Sequence, residues 1–196
     1  MKMDNIIKIG YQGLENSNNN RAAERLAKRF LNEGKQVELI PLVTSPNVAK
    51  AMREGSVDFG VMAYSGTDGW LVPETQEAMK AGDVKEIDRI CMEVHHFLFK
   101  KNAEVPFENL KKVASHPAAL LVCHNHIHDV FSEIEEVEVE DTALSAKQLS
   151  EGILPEDTAI ICSEKAGTQY GLCLIKDNMQ DRNPNGVNFI LAELAR

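Results

Sequence analysis

The chain has little that would carry it out of water. No stretch approaches the ~20 apolar residues of a membrane-spanning helix, which excludes a helical membrane protein. The opening Met1-Lys2-Met3-Asp4-Asn5 does not start a signal peptide, since the next apolar run is only Ile6-Ile7, broken by Lys8. Positive charge is in deficit: 21 Lys and Arg stand against 30 Asp and Glu, for a net charge of −9. Nucleic acid and anionic membranes both require a basic face, so neither is an expected partner. A small anion remains admissible, because a helix N-terminus or one placed Arg overrides the global sign. Cysteine is sparse too. Cys91, Cys123, Cys162 and Cys173 form no CxxC pair. Without an export signal they read as reduced, mostly buried thiols, which excludes a disulfide framework and points to the cytoplasm. There is no fixed-period repeat, and no low-complexity tract beyond the asparagines of residues 16–20.

What remains is an ordinary globular composition, 43% hydrophobic and 26% charged. At 196 residues it suffices for one domain or two small lobes. Strands and helices alternate. Strands are expected at 5–9, 37–42, 59–63, 112–114, 134–139, 158–161 and 187–194. A long strand-like run covers 89–100. Helices are expected at 21–31, 47–53, 74–80, 117–130 and 142–150, with Pro117 as a first helical residue. A short helix follows Ser163 as N-cap, and residues 64–69 read as a loop. The run-on apolar strand Phe59-Gly60-Val61-Met62-Ala63 fits a strand covered on both faces. Strands separated by helices predict parallel sheets. The pattern divides near Arg89 and Asp177, giving lobe one as residues 1–88 plus 178–196 and lobe two as 89–177. Two such crossings place a cleft between lobes, toward which helix N-termini point.

The motifs have a family likeness. Ile9-Gly10-Tyr11-Gln12-Gly13, the lead Gly55-Ser56-Val57-Asp58-Phe59-Gly60-Val61, Ser115-His116-Pro117-Ala118-Ala119-Leu120 with Cys123, Asp141-Thr142-Ala143 and Tyr170-Gly171-Leu172 occur in order. Together they resemble the catalytic domain of prephenate dehydratases over nearly the whole chain. The resemblance implies a two-lobed α/β fold of the type II periplasmic-binding-protein kind. It also implies a lyase acting on prephenate or a related cyclohexadienyl carboxylate. The family's Phe-binding regulatory domain is not matched before the sequence ends at Arg196, so feedback control of that kind is not expected. Related domains often pair, which makes a homodimer the expected assembly by analogy.

Where the family carries Asn-x-Thr-Arg-Phe, this chain has Asn185-Gly186-Val187-Asn188-Phe189. A valine moves no proton, and an asparagine does not clamp a carboxylate as a guanidinium does. Aromatising prephenate requires a proton for the departing hydroxyl and donors for its anions. The candidate catalytic residues are therefore Tyr64, Ser65, Thr67 and His116. Candidate binding residues are Tyr11, Asn19, Ser115, Asn185, Asn188 and Phe189. Arg21 and Arg182 are the nearest cations in sequence, with Arg182 read as a solvated loop charge. Trp70 either lines the cleft or plugs a core. Three functions stay open: dehydration, decarboxylation that retains the hydroxyl, and binding of a small carboxylate without catalysis.

No cofactor is implied and no metal ligand set is assigned. His124 and His128 share a helix face at i, i+4, spacing suited to a metal pair, yet a third ligand would have to come from elsewhere. Cys123 and His126 lie on other faces, and the bland alternative is an exposed helix surface. Of His95 and His96, one faces in, as a satisfied core histidine. The acidic stretch 133–141 reads as a solvated face.

Overall fold

The computed structural model describes residues 6–195. The signal-peptide reading of residues 1–5 and the expected strand start at Asn5 lie outside the described residues. In chain order the elements are β1 (Ile7–Tyr11), α1 (Asn18–Asn32), β2 (Val37–Pro41), α2 (Ser45–Arg53), β3 (Phe59–Gly66), α3 (Pro73–Met79), β4 (Val84–Glu93) and β5 (Phe97–Lys100). A 3-10 turn at Phe107–Asn109 precedes β6 (Lys112–Ser115), α4 (Pro117–Val130), β7 (Glu135–Glu138), α5 (Thr142–Ser150), β8 (Thr158–Cys162), α6 (Glu164–Gln169), β9 (Cys173–Lys176) and β10 (Gly186–Leu194). They form two compact units. One comprises Met1–Leu14, Asn18–Glu93 and Gly186–Arg196; the other comprises Glu15–Ser17 and Val94–Asn185. The division expected at residue 89 falls inside β4. That strand keeps its ladder with β10 out to Glu93, so the chain leaves the first sheet only where β10 runs out of partners.

The first unit is built on a five-stranded sheet of order β2-β1-β3-β10-β4. β1 is parallel to β2 and β3, whereas β10 is antiparallel to β3 and β4. The wholly parallel expectation is thus corrected. β10 comes from the far end of the chain rather than through a β-helix-β crossover, so no crossover rule fixes its direction. α1 is amphipathic and buries Ala22, Ala23, Leu26, Ala27 and Phe30, the i, i+4 face of a helix lying on a sheet. α2 and α3 supply the other layer, where Val48, Met52, Met62 and Ile190 make one buried cluster. Each such side chain contributes roughly 1.5–3 kcal/mol on leaving water.

The second unit carries a five-stranded sheet of order β7-β6-β8-β5-β9. β6 is parallel to β7 and β8, and β5 is antiparallel to β8 and β9. The strand-like run expected at 89–100 breaks at residues 94–96, between β4 of the first sheet and β5 of the second. Leu98, Val113, Ile127, Ile161 and Met179 are fully buried in its core. No helix among the described residues is long and apolar enough to cross a membrane.

Candidate functional site

In the first unit the carboxyl ends of β1 and β3 lie at one edge of the sheet, and antiparallel β10 begins there, with Val187 opposite Gly66 and Asn188 opposite Ser65. This is the edge where open α/β sheets bind ligands. Gln12, which directly follows β1, is buried and grips two elements. Its Oε1 accepts from Ala63 N at 3.1 Å and its amide donates to Glu74 on α3.

The register places a β-bulge at the centre of this edge. Asn188 pairs with Ser65 and Phe189 with Ala63, so Tyr64 has no partner across the ladder. A bulge re-aims side chains. Here Ser65 faces Asn188, whose Nδ2 donates to Ser65 Oγ at 3.0 Å. Ser65 is buried and Asn188 half-buried. On its other side Asn188 lies opposite Cys91 of β4, and that thiol is exposed.

The other sequence-predicted residues of this unit divide by role. Tyr64 packs on the α2–α3 cluster and carries the Arg89 guanidinium 4.7 Å from its ring centre. Thr67 is exposed and its N–H donates to Gly186 O at 2.9 Å. A Cβ at Gly186 would come within 2.6 Å of Thr67 Cγ2, so the exposed Thr67 side chain would have to shift to admit one. Tyr11 and Phe189 are core residues, each 2% exposed. Trp70 lies against Gly66, where a Cβ would meet its Nε1 at 2.0 Å, so the indole closes the 67–70 turn. Asn19 stands in the first turn of α1 with its Oδ1 buried and without a partner among the described residues. Arg21 is tethered to Asn18 Oδ1 at 3.2 Å.

In the second unit, the helices that follow β6, β7 and β8 begin with the side-chain caps His116, Asp141 and Ser163. His116 Nδ1 accepts from Ala118 N at 3.2 Å, which leaves Nε2 as the protonated donor nitrogen. Ser163 Oγ accepts from Ala166 N and donates to Asn16 O at 2.8 Å. Ser115 is not presented to a ligand: it is fully buried, and its hydroxyl donates to Ile161 O at 2.7 Å, tying β6 to β8. Asn185 is likewise spent on the backbone, donating to Val94 O at 3.0 Å. Arg182 is exposed.

His96 is the inward member of the His95–His96 pair, at 6% exposure. It departs from a satisfied core histidine: its Nδ1 has no partner among the described residues. Burial, helped by neighbouring His95, lowers its pKa to about 4. Sequence reasoning missed Cys91, Gln12 and Glu74. Gln12 stood inside a quoted motif, but nothing local showed that its amide spans two elements.

Two mixed α/β units, in a chain that re-enters its first sheet at the last strand, define a type II periplasmic-binding-like architecture. A periplasmic substrate-binding protein of an ABC transporter from Coxiella burnetii shares it at 18% identity and TM-score 0.59, over 96% of this chain and 84% of that one. The sequence model of the prephenate dehydratase family matches residues 9–194, and the chain belongs to that family. Arogenate dehydratase/prephenate dehydratase 2 of Arabidopsis thaliana is 28% identical over 185 residues, covering 94% of this chain and 46% of the plant protein. A prephenate dehydratase from Arthrobacter aurescens, solved in complex with L-Phe, superposes with TM-score 0.72 at 18% identity, over 97% of this chain and 61% of that one. The chain therefore spans about half the length of the curated relative it matches.

Proposed function

We propose that this chain is a dehydratase-type lyase of prephenate or a closely related cyclohexadienyl carboxylate such as arogenate, with Ser65 as proton donor and Asn188 as its positioning residue. The reaction needs one proton. The electron pair of the breaking C–CO2 bond enters the ring, aromatises it and expels the ring hydroxyl, which leaves as water once protonated. Where the family pattern has Thr-Arg, this chain has Val187-Asn188, and Val187 is only 6% exposed with no proton to give. The observation that carries the reading is the hydrogen bond from Asn188 Nδ2 to Ser65 Oγ. It occupies a lone pair of the hydroxyl and directs the hydroxyl hydrogen elsewhere. Its position at the carboxyl edge of a parallel pair, beside a bulge, is where this fold class exposes chemistry.

The substrate's carboxylates need donors. The first turn of α1 carries Asn18, Asn19 and Asn20 and no acidic residue, so the positive end of its helix dipole suits an anion. A cytoplasmic setting and pairing with a second copy accompany this reading by analogy with the family.

The test is product analysis. Purified protein is incubated separately with prephenate and with arogenate. Phenylpyruvate or phenylalanine, lost in Ser65→Ala, supports dehydration. A dihydro-hydroxyphenylpyruvate would replace this reading with decarboxylation that keeps the hydroxyl. No turnover together with a ligand-induced rise in Tm would replace it with a carboxylate-binding protein.

A further inference from the structure

The second unit supplies the third ligand that the helix sequence lacks. His124 and His128 stand one turn apart on α4, their ring centres 4.6 Å apart. Both aim at one carboxylate oxygen, Glu136 Oε1 on β7, from His124 Nδ1 at 2.7 Å and from His128 Nε2 at 3.2 Å. The three ligand atoms all lie within 4.8 Å of one another. Bonds of about 2.0–2.2 Å to a tetrahedral cation set ligand atoms about 3.4 Å apart, so the two imidazole–carboxylate pairs would part by less than about 1 Å. Rotation of exposed imidazoles closes that difference, and the side chains of His124 and His128 are 56% and 43% exposed.

The rest of the helix makes the set selective. Cys123 is fully buried in the hydrophobic core of this unit, so it is no ligand of the surface set. His126 turns to another face, with Nδ1 at 3.2 Å from Asp181 Oδ1. Lys112 of neighbouring β6 engages Glu135 at 3.6 Å.

We propose that His124, His128 and Glu136 form a binding site for a divalent transition cation of the zinc class. Two neutral imidazoles and one carboxylate suit a borderline cation better than Mg2+ or Ca2+, which take oxygen ligands. The protein fills three positions and leaves the solvent side open for water. The bound ion staples the C-terminal half of α4 to β7, an edge strand of only four residues. Its effect is to hold that edge in place, and it is independent of the lyase reading.

The experiment uses the full chain without an affinity tag, stripped of metal. Zn2+ is titrated by calorimetry, and Co2+ by visible ligand-field absorption, which reports low coordination number. One equivalent is expected to bind. His128→Ala and Glu136→Gln should each weaken binding by ~100-fold or more, since even disturbing an outer-shell partner of a ligand costs 10–100-fold. His126→Asn should leave binding unchanged. His128 is exposed and Glu136 and His126 are half-buried, and circular dichroism confirms that each variant is folded. Absence of one-equivalent binding in the wild type overturns the site. So does undiminished binding in both His128→Ala and Glu136→Gln, which would send the cation to another group such as Cys91.

Discussion

Asn188 and Ser65 are 123 residues apart in sequence and joined by a 3.0 Å hydrogen bond across the β10–β3 ladder. The amide donates, so the serine hydroxyl must use its own hydrogen toward another acceptor. If that acceptor is the departing hydroxyl of a substrate, Ser65→Ala removes the proton donor. A positioned general acid contributes about 10²–10⁴-fold. We expect kcat to fall by ~100-fold with KM little changed. Asn188→Ala should lower kcat less, because the hydroxyl remains but is no longer oriented. Equal turnover by wild type and Ser65→Ala in a steady-state assay would remove Ser65 from the mechanism.

Restoring a hydroxyl at position 187 is a test of packing. Val187 is 6% exposed and lies opposite Gly66 and Met92 in the sheet. Val187→Thr preserves shape but buries an oxygen. Leaving it unpaired costs about 1–3 kcal/mol. Urea unfolding should show that loss at unchanged m. Unchanged stability would mean that the hydroxyl finds a partner and that position 187 is not dry.

The parts of this fold legible in the sequence are those set by local chemistry. α4 and α5 occur at the expected residues because Pro117, His116 and Asp141 fix their first turns through contacts two or three residues away. Ser163 caps α6 for the same reason. What was not legible depends on pairing between distant segments. The direction of β10, the bulge at Tyr64 and the spending of the Ser115 hydroxyl on Ile161 are all decided by register. Register also brings Glu136 to His124 and His128, which helix periodicity alone could only pair with each other.

Thiol reactivity reads that register directly. The sequence suggested mostly buried thiols, yet Cys91 is exposed and Cys173 half-buried, while Cys123 and Cys162 are fully buried. Burial pushes the pKa of both buried thiols up, which keeps them protonated and inert. With a chromogenic disulfide reagent, Cys91 should react first and Cys123 and Cys162 only after unfolding. Because Cys91 lies directly across the ladder from Asn188, a bulky adduct there should suppress turnover, and bound substrate should slow the labelling. Full activity after quantitative Cys91 modification would place the chemistry away from this edge.

The last prediction concerns acid. His96 is buried, its Nδ1 has no partner among the described residues, and burial with the charge of His95 holds its pKa near about 4. Folded protein therefore keeps the ring neutral, while the unfolded chain takes up a proton near the ordinary histidine value of ~6.5. The unfolded state binds more protons in that interval, so stability rises with pH through it. Descending from ~6.5 to about 4, His96 should cost the fold of order 3 kcal/mol, with no further loss from this group below its folded pKa. Carboxylates titrate in the same range, so the comparison is with His96→Leu, which removes the ionisable ring and keeps the site apolar. Urea unfolding at a series of pH values should give curves for wild type and variant that diverge below ~6.5, the variant falling less steeply. Parallel curves would show that the ring is protonated, or paired, inside the folded protein.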